Sequence, residues 1–482
     1  MNKPIRRLAV FSLALFGVLL LNTTWIQAFQ ADWLREHEFN RRDVAERTSL
    51  PRGPIVVGNE QIATSTYNED GEYYQREYPE GELYAHPVGV FNPMGNFGIE
   101  QTHNSYLDGS DESLMVRNFL DMLTGTEPQG ASVVLTLNPD AQRAALEGLK
   151  AYATNGRGAA VALDPKTGAV LAAASIPTYD PNSVADLSDV NTSVENWNKL
   201  ADDKNQPLLN RAFNELYPPG STFKIVTAAT ALENGHTIES TIDAPASIQI
   251  GGSQLPNAFS GPCNGGAPDS IAHSIEISCN TSMANWAIEL GAEALHEQAT
   301  AFGFNSGPMD IPVRVTESSA PLEPDDNLRA QMGIGQGQLQ ATPLQMAMVA
   351  AAVANDGTLM QPYLVQEILG PDMSEIESTT PKVLSEAISA NTAEQLTQAM
   401  ILVTEGDEGS GKTAAIPGIQ VAGKTGTAEV GDGDTHNWFI SFAPADDPQV
   451  AVAVVIERGN ASGGTLAAPV AKAIMEAVIN GE

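Results

Sequence analysis

Ser221 and Lys224 stand three residues apart in Tyr-Pro-Pro-Gly-Ser-Thr-Phe-Lys, residues 217–224, just ahead of the apolar run Ile225 to Leu232. A serine hydroxyl is a weak nucleophile at its ordinary pKa and needs a base within hydrogen-bond reach. On a helix, residues i and i+3 share a face. A helix with Ser221 in its first turn would therefore set the hydroxyl beside the Lys224 amine. Pro218 and Pro219 end whatever precedes, and Gly220 permits a sharp turn into the helix. By itself the pair also fits an ordinary surface helix start. Two further short motifs follow it: Ser278-Cys279-Asn280, 57 residues after Ser221, and Lys424-Thr425-Gly426-Thr427, 203 residues after it. Each has a plainer reading, since Ser278 and Asn280 would cap a helix beginning near Thr281 and Lys424 would serve as a strand-edge lysine. Their order and number make the set informative.

Two other stretches imitate catalytic motifs. Lys166-Thr167-Gly168 repeats the Lys-Thr-Gly string, but it precedes the serine and falls in Asp164-Pro-Lys-Thr-Gly168, which reads as turn chemistry. Gly406-Asp-Glu-Gly-Ser-Gly411-Lys412-Thr413 matches a phosphate-binding loop. That loop needs a following helix whose N-terminus faces the phosphates. Pro417-Gly418 breaks any helix there, and Glu405, Asp407 and Glu408 would repel a nucleotide.

Elements that would position these residues can be read from periodicity and punctuation. Ser132 to Leu137 has strand character, and Pro139 to Tyr152 has helical spacing behind an Asn138 cap. Gly158–Leu163 and Ala169–Ser175 flank a turn and predict a β-hairpin. Residues 221–360 are mainly helical in pattern, as in Met283–Leu290, Glu293–Phe302 and Pro343–Asn355. Strands return at Gly418–Ala422, Asn437–Phe442 and Gln449–Ile456, before an amphipathic helix from about Ala467 to Ile479. Strands at both ends of a helical insertion predict an α+β fold whose sheet joins the two ends. Trp438 is expected in the sheet core, and His436 in a surface loop.

The 482 residues carry a formal charge of −34, from 59 acidic and 25 basic side chains. Such a field repels nucleic-acid phosphates, and no basic patch suits an anionic membrane surface. The N-terminus starts with basic residues, Lys3, Arg6 and Arg7, and turns apolar from Leu8 onward. We read residues 1–7 as a cytoplasmic tail and 8–29 as an uncleaved transmembrane anchor, which leaves the rest of the chain outside. Residues 30–130 would form a small pedestal with short strands such as Pro54–Val57, and 131–482 the main domain. Cys263 and Cys279, the only cysteines, would be bridged in that compartment, with two buried thiols as the alternative.

Ser-x-x-Lys, Ser-x-Asn and Lys-Thr-Gly in this order resemble the signature of penicillin-recognising serine acyltransferases. Leu163-Asp-Pro-Lys-Thr-Gly168 with Ser175-Ile-Pro177 and Asp180-Pro-Asn182 is similar to the opening hairpin of class B penicillin-binding proteins. Gly333-Ile-Gly-Gln336 with Ala341-Thr-Pro343 is similar to the segment behind their active site. Asn40-Arg41-Arg42, Arg52-Gly53, Ile55 and Gly98-Ile-Glu100 resemble their pedestal motif. The resemblance covers nearly the whole chain and is nearest the short, monofunctional A type of actinobacteria. It implies a penicillin-binding/transpeptidase fold, with a central antiparallel sheet flanked by helices and a helical subdomain. It also implies a β-rich pedestal and an anchor.

In that family Ser221 would attack the penultimate carbonyl of a stem ending in D-alanyl-D-alanine, with Lys224 as general base. Ser278 would relay a proton, and Asn280 would hold the donor amide and the Lys224 amine. Lys424, Thr425 and Thr427 would receive the terminal carboxylate. Gly426 would let the substrate backbone approach, and the N–H groups of Ser221 and Thr427 would form the oxyanion hole. A Cys263–Cys279 bridge would pin the loop carrying Ser278. No metal or cofactor is implied. Partners would be stem peptides, lipid-linked precursor polymer and β-lactams, together with a membrane glycosyltransferase and division or elongation proteins. Two alternatives stay open. One is a D,D-carboxypeptidase or β-lactamase-like hydrolase, for which no deacylating glutamate can be placed. The other is a non-catalytic cell-wall scaffold.

Overall fold

The computed structural model describes residues 3–29, 48–69, 73–115, 118, 123, 125, 128–431 and 433–481. Asn40-Arg41-Arg42 lie outside these residues. Among the described residues one helix, Lys3–Phe29, is long and apolar enough to cross a membrane. It starts earlier than the apolar run, so Lys3, Arg6 and Arg7 form its first turns.

The centre of the molecule is a five-stranded sheet in the order 422–429, 435–443, 450–456, 158–163, 170–176. Every neighbouring pair is antiparallel. Strands from both ends of the main domain thus meet, the architecture that the α+β reading requires. Val450–Ile456 and Gly158–Leu163 are buried at every position, so the sheet is covered on both faces, and such strands read as unbroken apolar runs rather than alternating ones. Pro139–Tyr152 and Gly463–Asn480 pack together on the sheet. A Cβ on Gly148 would come within 2.9 Å of Val470 Cγ1, so this glycine allows the close approach of the two helices. Pro343–Ala354, twelve residues all buried, also packs on the sheet.

Local signals placed several elements well. Asn138 accepts from Ala141 N, and Pro139 opens the helix that ends at Tyr152. Asp164 accepts from Lys166 N and from the Thr167 hydroxyl, and Gly168 has φ +84°, so the Lys166-Thr167-Gly168 string is a hairpin turn. The helix Ala390–Glu405 ends before Gly406, and only a short 3₁₀ turn, Lys412–Ala414, follows. The phosphate-loop look-alike therefore lacks its helix. One strand needs correction. Gly418–Ala422 is not a strand: Gly418 lies at φ +82° in a turn closed by an Ile416–Ile419 bridge, and the strand runs from Ala422 to Glu429.

A second sheet ties the N-terminal region to the rest. Its order is 375–378, 365–369, 132–135, 55–57, 60–68, 73–77. Ile55–Val57 runs parallel to Val133–Leu135, which in turn pairs with Val365–Leu369. The expected boundary at 130/131 thus falls where the chain passes into a sheet shared by both parts. Near it, Glu100 is fully buried between Arg52 (2.8 Å) and Arg76 (2.6 Å). The Tyr78 hydroxyl lies 3.3 Å from Glu100 Oε1. Burial opposes ionisation of Glu100, but the two guanidiniums outweigh it and hold the carboxyl below its ordinary pKa. Removing either arginine would leave a buried charge short of a partner.

Candidate active site

Ser221 sits in a 3₁₀ turn, Gly220–Phe223, and the α-helix proper begins at Lys224 and runs to Glu233. The expectation that Ser221 occupies the first α-turn is corrected in that detail. The turn is fixed on all sides. Gly220 N donates to Gly335 O, the Thr222 hydroxyl donates to Pro219 O, and Trp438 Nε1 donates to Pro218 O. Tyr217 exchanges backbone hydrogen bonds with Ala341. Gly220 has φ +55°, and a Cβ there would meet Thr427 O at 2.6 Å. The Ser221 turn therefore lies against the motif strand at Thr427.

Lys224 is fully buried, and its Nζ donates to Ser278 O (2.7 Å) and Asn280 Oδ1 (2.8 Å), with Ser278 Oγ at 3.3 Å. Ser278 adopts φ +61°, a conformation costing a non-glycine residue roughly 1 kcal/mol or more. It turns the Ser278 carbonyl toward the lysine. The helix that follows starts at Asn280, and its cap is Cys279 rather than Ser278 or Asn280. Cys279 is bonded to Cys263, closing a span of 16 residues at the base of this loop.

Burial pushes the Lys224 ammonium well below its ordinary 10.5, and the Lys424 charge adds to the effect. Lys424 is fully buried on the strand Ala422–Glu429 and donates to Thr425 O at 3.0 Å. It lies on the edge strand of the sheet but is buried, so it is no exposed solubility lysine. Burial pushes its pKa down to about 7. By strand alternation Thr425 and Thr427 share the opposite face, where Thr427 is exposed. A buried lysine whose pKa is depressed is a candidate base with a physical rationale.

A depressed lysine pKa has a stability consequence. Between about 7 and 10.5 the unfolded chain holds a proton at Lys424 that the folded chain releases, so stability rises with pH across that window. Lys424→Met should therefore melt higher than the parent at pH 7, with the gap closing toward pH 10.5. Penicillin acylation should fall by roughly 10²-fold. Thermal melts and stopped-flow acylation read the two effects separately, and a variant melting lower at pH 7 would contradict the burial penalty.

Gly426 also has an internal reason to be glycine. A Cβ there would meet Thr222 Cγ2 and Trp438 Cβ, each at 2.9 Å, and Pro219 O at 3.1 Å. The glycine lets the strand lie against the Ser221 turn. Gly426→Ala should displace that turn and slow acylation by about 10²-fold, with Ser221 still the labelled residue. Wild-type acylation in that variant would show that the contact has slack. Trp438 is buried as expected. His436 is not in a loop: it is 8% exposed on the strand Thr435–Ala443, edge-on to Tyr217, and its Nδ1 accepts from Arg458 N.

Several supporting residues had no sequence signal. Asn257 Oδ1 accepts from Asn280 N and Thr281 N, and its Nδ2 donates to Pro245 O and Gly261 O, so one amide holds the Ser278–Asn280 loop from behind. Glu457 binds Arg211 and Arg157, both at 2.8 Å, and accepts from Tyr217 Oη at 2.9 Å, bracing the segment before Ser221. On the other side, His273 lies between Asp269 (2.6 Å) and Glu408 (3.0 Å). Burial pulls the His273 imidazole down, but hydrogen bonds to the two carboxylates outweigh it and leave its pKa raised above 6.5.

Known proteins resemble this arrangement over the whole chain. The pattern of the penicillin binding protein transpeptidase domain matches residues 158–476, and that of the penicillin binding protein A dimerisation domain matches 52–133. The peptidoglycan D,D-transpeptidase PbpA of Mycolicibacterium smegmatis is 40% identical over 99% of both chains. Its namesake from Mycobacterium tuberculosis is 39% identical over the full length of both. Among solved structures, the ceftriaxone acyl-enzyme complex of M. tuberculosis penicillin-binding protein A superposes with a TM-score of 0.87 at 38% identity, covering 90% of this chain and 99% of that one. A D,D-transpeptidase domain from Eggerthella lenta gives 0.76 at 36% identity, covering 90% of this chain and 99% of that one. With its serine turn, lysine-anchored loop and motif strand assembled on such a scaffold, the chain belongs to the penicillin-binding protein transpeptidase family.

Proposed function

We propose that this protein is a membrane-anchored peptidoglycan D,D-transpeptidase working through an acyl-enzyme on Ser221. The observation that carries the reading is the buried Lys224 amine, beside the Ser221 turn and held by Ser278 O and Asn280 Oδ1. Its pKa is depressed by burial, so the neutral amine accepts the Ser221 proton as Oγ attacks the penultimate D-alanine carbonyl. The N–H groups of Ser221 and Thr427 receive the negative oxygen, each worth roughly 3–4 kcal/mol in acyl transfer. As the peptide C–N bond breaks, the proton passes through Ser278 to the departing D-alanine amine. An amine from a neighbouring stem then attacks the ester, loses its proton to Lys224 and releases Ser221 with a new peptide bond. Lys424 supplies positive potential for the donor's terminal carboxylate, and Thr425 and Thr427 supply hydroxyl hydrogen bonds.

A β-lactam presents the same carboxylate and a strained amide. When Ser221 Oγ opens the ring, the expelled amine stays tethered to the acyl group, so it cannot leave and it blocks the acceptor from the ester. The basic first turns of Lys3–Phe29 favour a cytoplasmic N-terminus and an outward catalytic domain. About 100 residues between anchor and catalytic domain are too few for a polymerising domain. The substrate strands therefore come from a separate membrane glycosyltransferase, within a division or elongation assembly.

The test is reaction with benzylpenicillin followed by peptide mapping. A stable adduct on Ser221 is expected. An adduct elsewhere, or none, would overturn the assignment, and an adduct lost within minutes would favour the hydrolase.

A further inference from the structure

The loop Gly406–Gly411, a look-alike for phosphate binding in the sequence, lies between the two walls of this site. Its Glu408 side chain meets His273 Nε2 at 3.0 Å, and Glu408 N donates to Glu276 Oε1 at 3.0 Å. Both partners belong to the helix Ile271–Glu276, which runs directly into Ser278. His273 is braced from behind by Asp269, itself fully buried and accepting from the Ser274 hydroxyl at 2.7 Å. Two residues beyond Glu408, Ser410 Oγ lies 2.8 Å from Thr425 Oγ1 on the motif strand. A Cβ on Gly464 would meet Ser410 O at 2.3 Å, so the loop is also clasped from the C-terminal helix.

Hydroxyls carry one proton each. If Ser410 donates to Thr425, the Thr425 proton is free to point away from Ser410. If Thr425 donates to Ser410, its proton is spent and its oxygen can only accept. A carboxylate needs the first arrangement. We propose that Ser410 is a positioning residue for the donor carboxylate, setting the direction of the Thr425 O–H, and that the Asp269–His273–Glu408 chain holds it at that distance. The inference rests on the reading of Thr425 as a carboxylate ligand.

The expected result is a loss specific to the anion. Ser410→Ala leaves the Thr425 hydroxyl undirected and should slow acylation by benzylpenicillin by up to about tenfold, the ceiling set by one hydrogen bond to a charged group. Acylation by benzylpenicillin methyl ester, which has no carboxylate charge, should be unchanged. Ser410→Thr should restore the rate, and adding Ser410→Ala to Thr425→Val should cost nothing more. Equal slowing with acid and ester would mark a structural role and overturn the proposal, as would no slowing with either. If the parent protein itself is not acylated at Ser221, the function reading fails instead, so the two failures are separable.

Discussion

A Ser221→Ala protein is expected to melt at the parent temperature and to take up no labelled penicillin. The side chain is only half-buried in its 3₁₀ turn, and the turn is held by the backbone of Gly220 and the side chains of Thr222 and Trp438, none of which needs Oγ. Fold and chemistry should thus separate cleanly. Loss of a serine nucleophile removes covalent catalysis altogether and costs upward of about 10⁴-fold in comparable enzymes. Gel fluorescence after long incubation is the simplest readout. Persistent labelling would place the nucleophile elsewhere and sink the acyl-enzyme at Ser221.

The second large effect belongs to Lys224. Lys224→Met keeps the length and volume of the side chain but removes the amine. Acylation should fall by about 10³-fold or more, near the upper range for a general base. The pH dependence is the sharper test. The proposed mechanism requires the neutral amine, so in the parent protein acylation should decline as pH falls through the depressed Lys224 pKa. That limb should vanish in Lys224→Met. A residual rate that kept the parent's acid limb would assign the base to another group. The substitution also removes a buried amine and leaves Ser278 O and Asn280 Oδ1 without their donor. Its melting temperature will reflect both changes and is not a clean measure of either.

What the sequence made legible follows the range of the interactions involved. The helix from Pro139 to Tyr152 has its cap, first-turn proline and apolar stripe all within its own residues. The hairpin around Asp164–Gly168 likewise has its turn chemistry in five consecutive positions. The strand carrying Lys424 begins later than the sequence suggests because its start is set by pairing with Phe442, twenty residues away, while the alternating Ile419–Val421 stretch just after the turn imitates a strand. Burial of Lys424 could not be read from a residue type that is almost always exposed. Asn257, His273 and Ser410 make contacts that no spacing rule encodes, and Ser410 lies inside a misleading motif. The reason for Gly426 was also tertiary, since its crowding comes from Thr222 and Trp438 rather than from anything next to it in the chain.

The shared six-stranded sheet bears on how such a protein can be divided or inherited. Val133–Leu135 is hydrogen-bonded on one side to Ile55–Val57 and on the other to Val365–Leu369. Severing the chain at residue 130 and discarding the first part would bare one flank of that strand, a row of unpaired N–H and C=O groups that other chains could join. The catalytic portion freed in this way would be prone to self-association however intact its serine and lysines were. Recombination that exchanged N-terminal regions between relatives would have to preserve the Ile55–Val57 register as strictly as the motifs themselves. The segment next to the membrane is in this sense a stitch in the catalytic fabric rather than a detachable stalk.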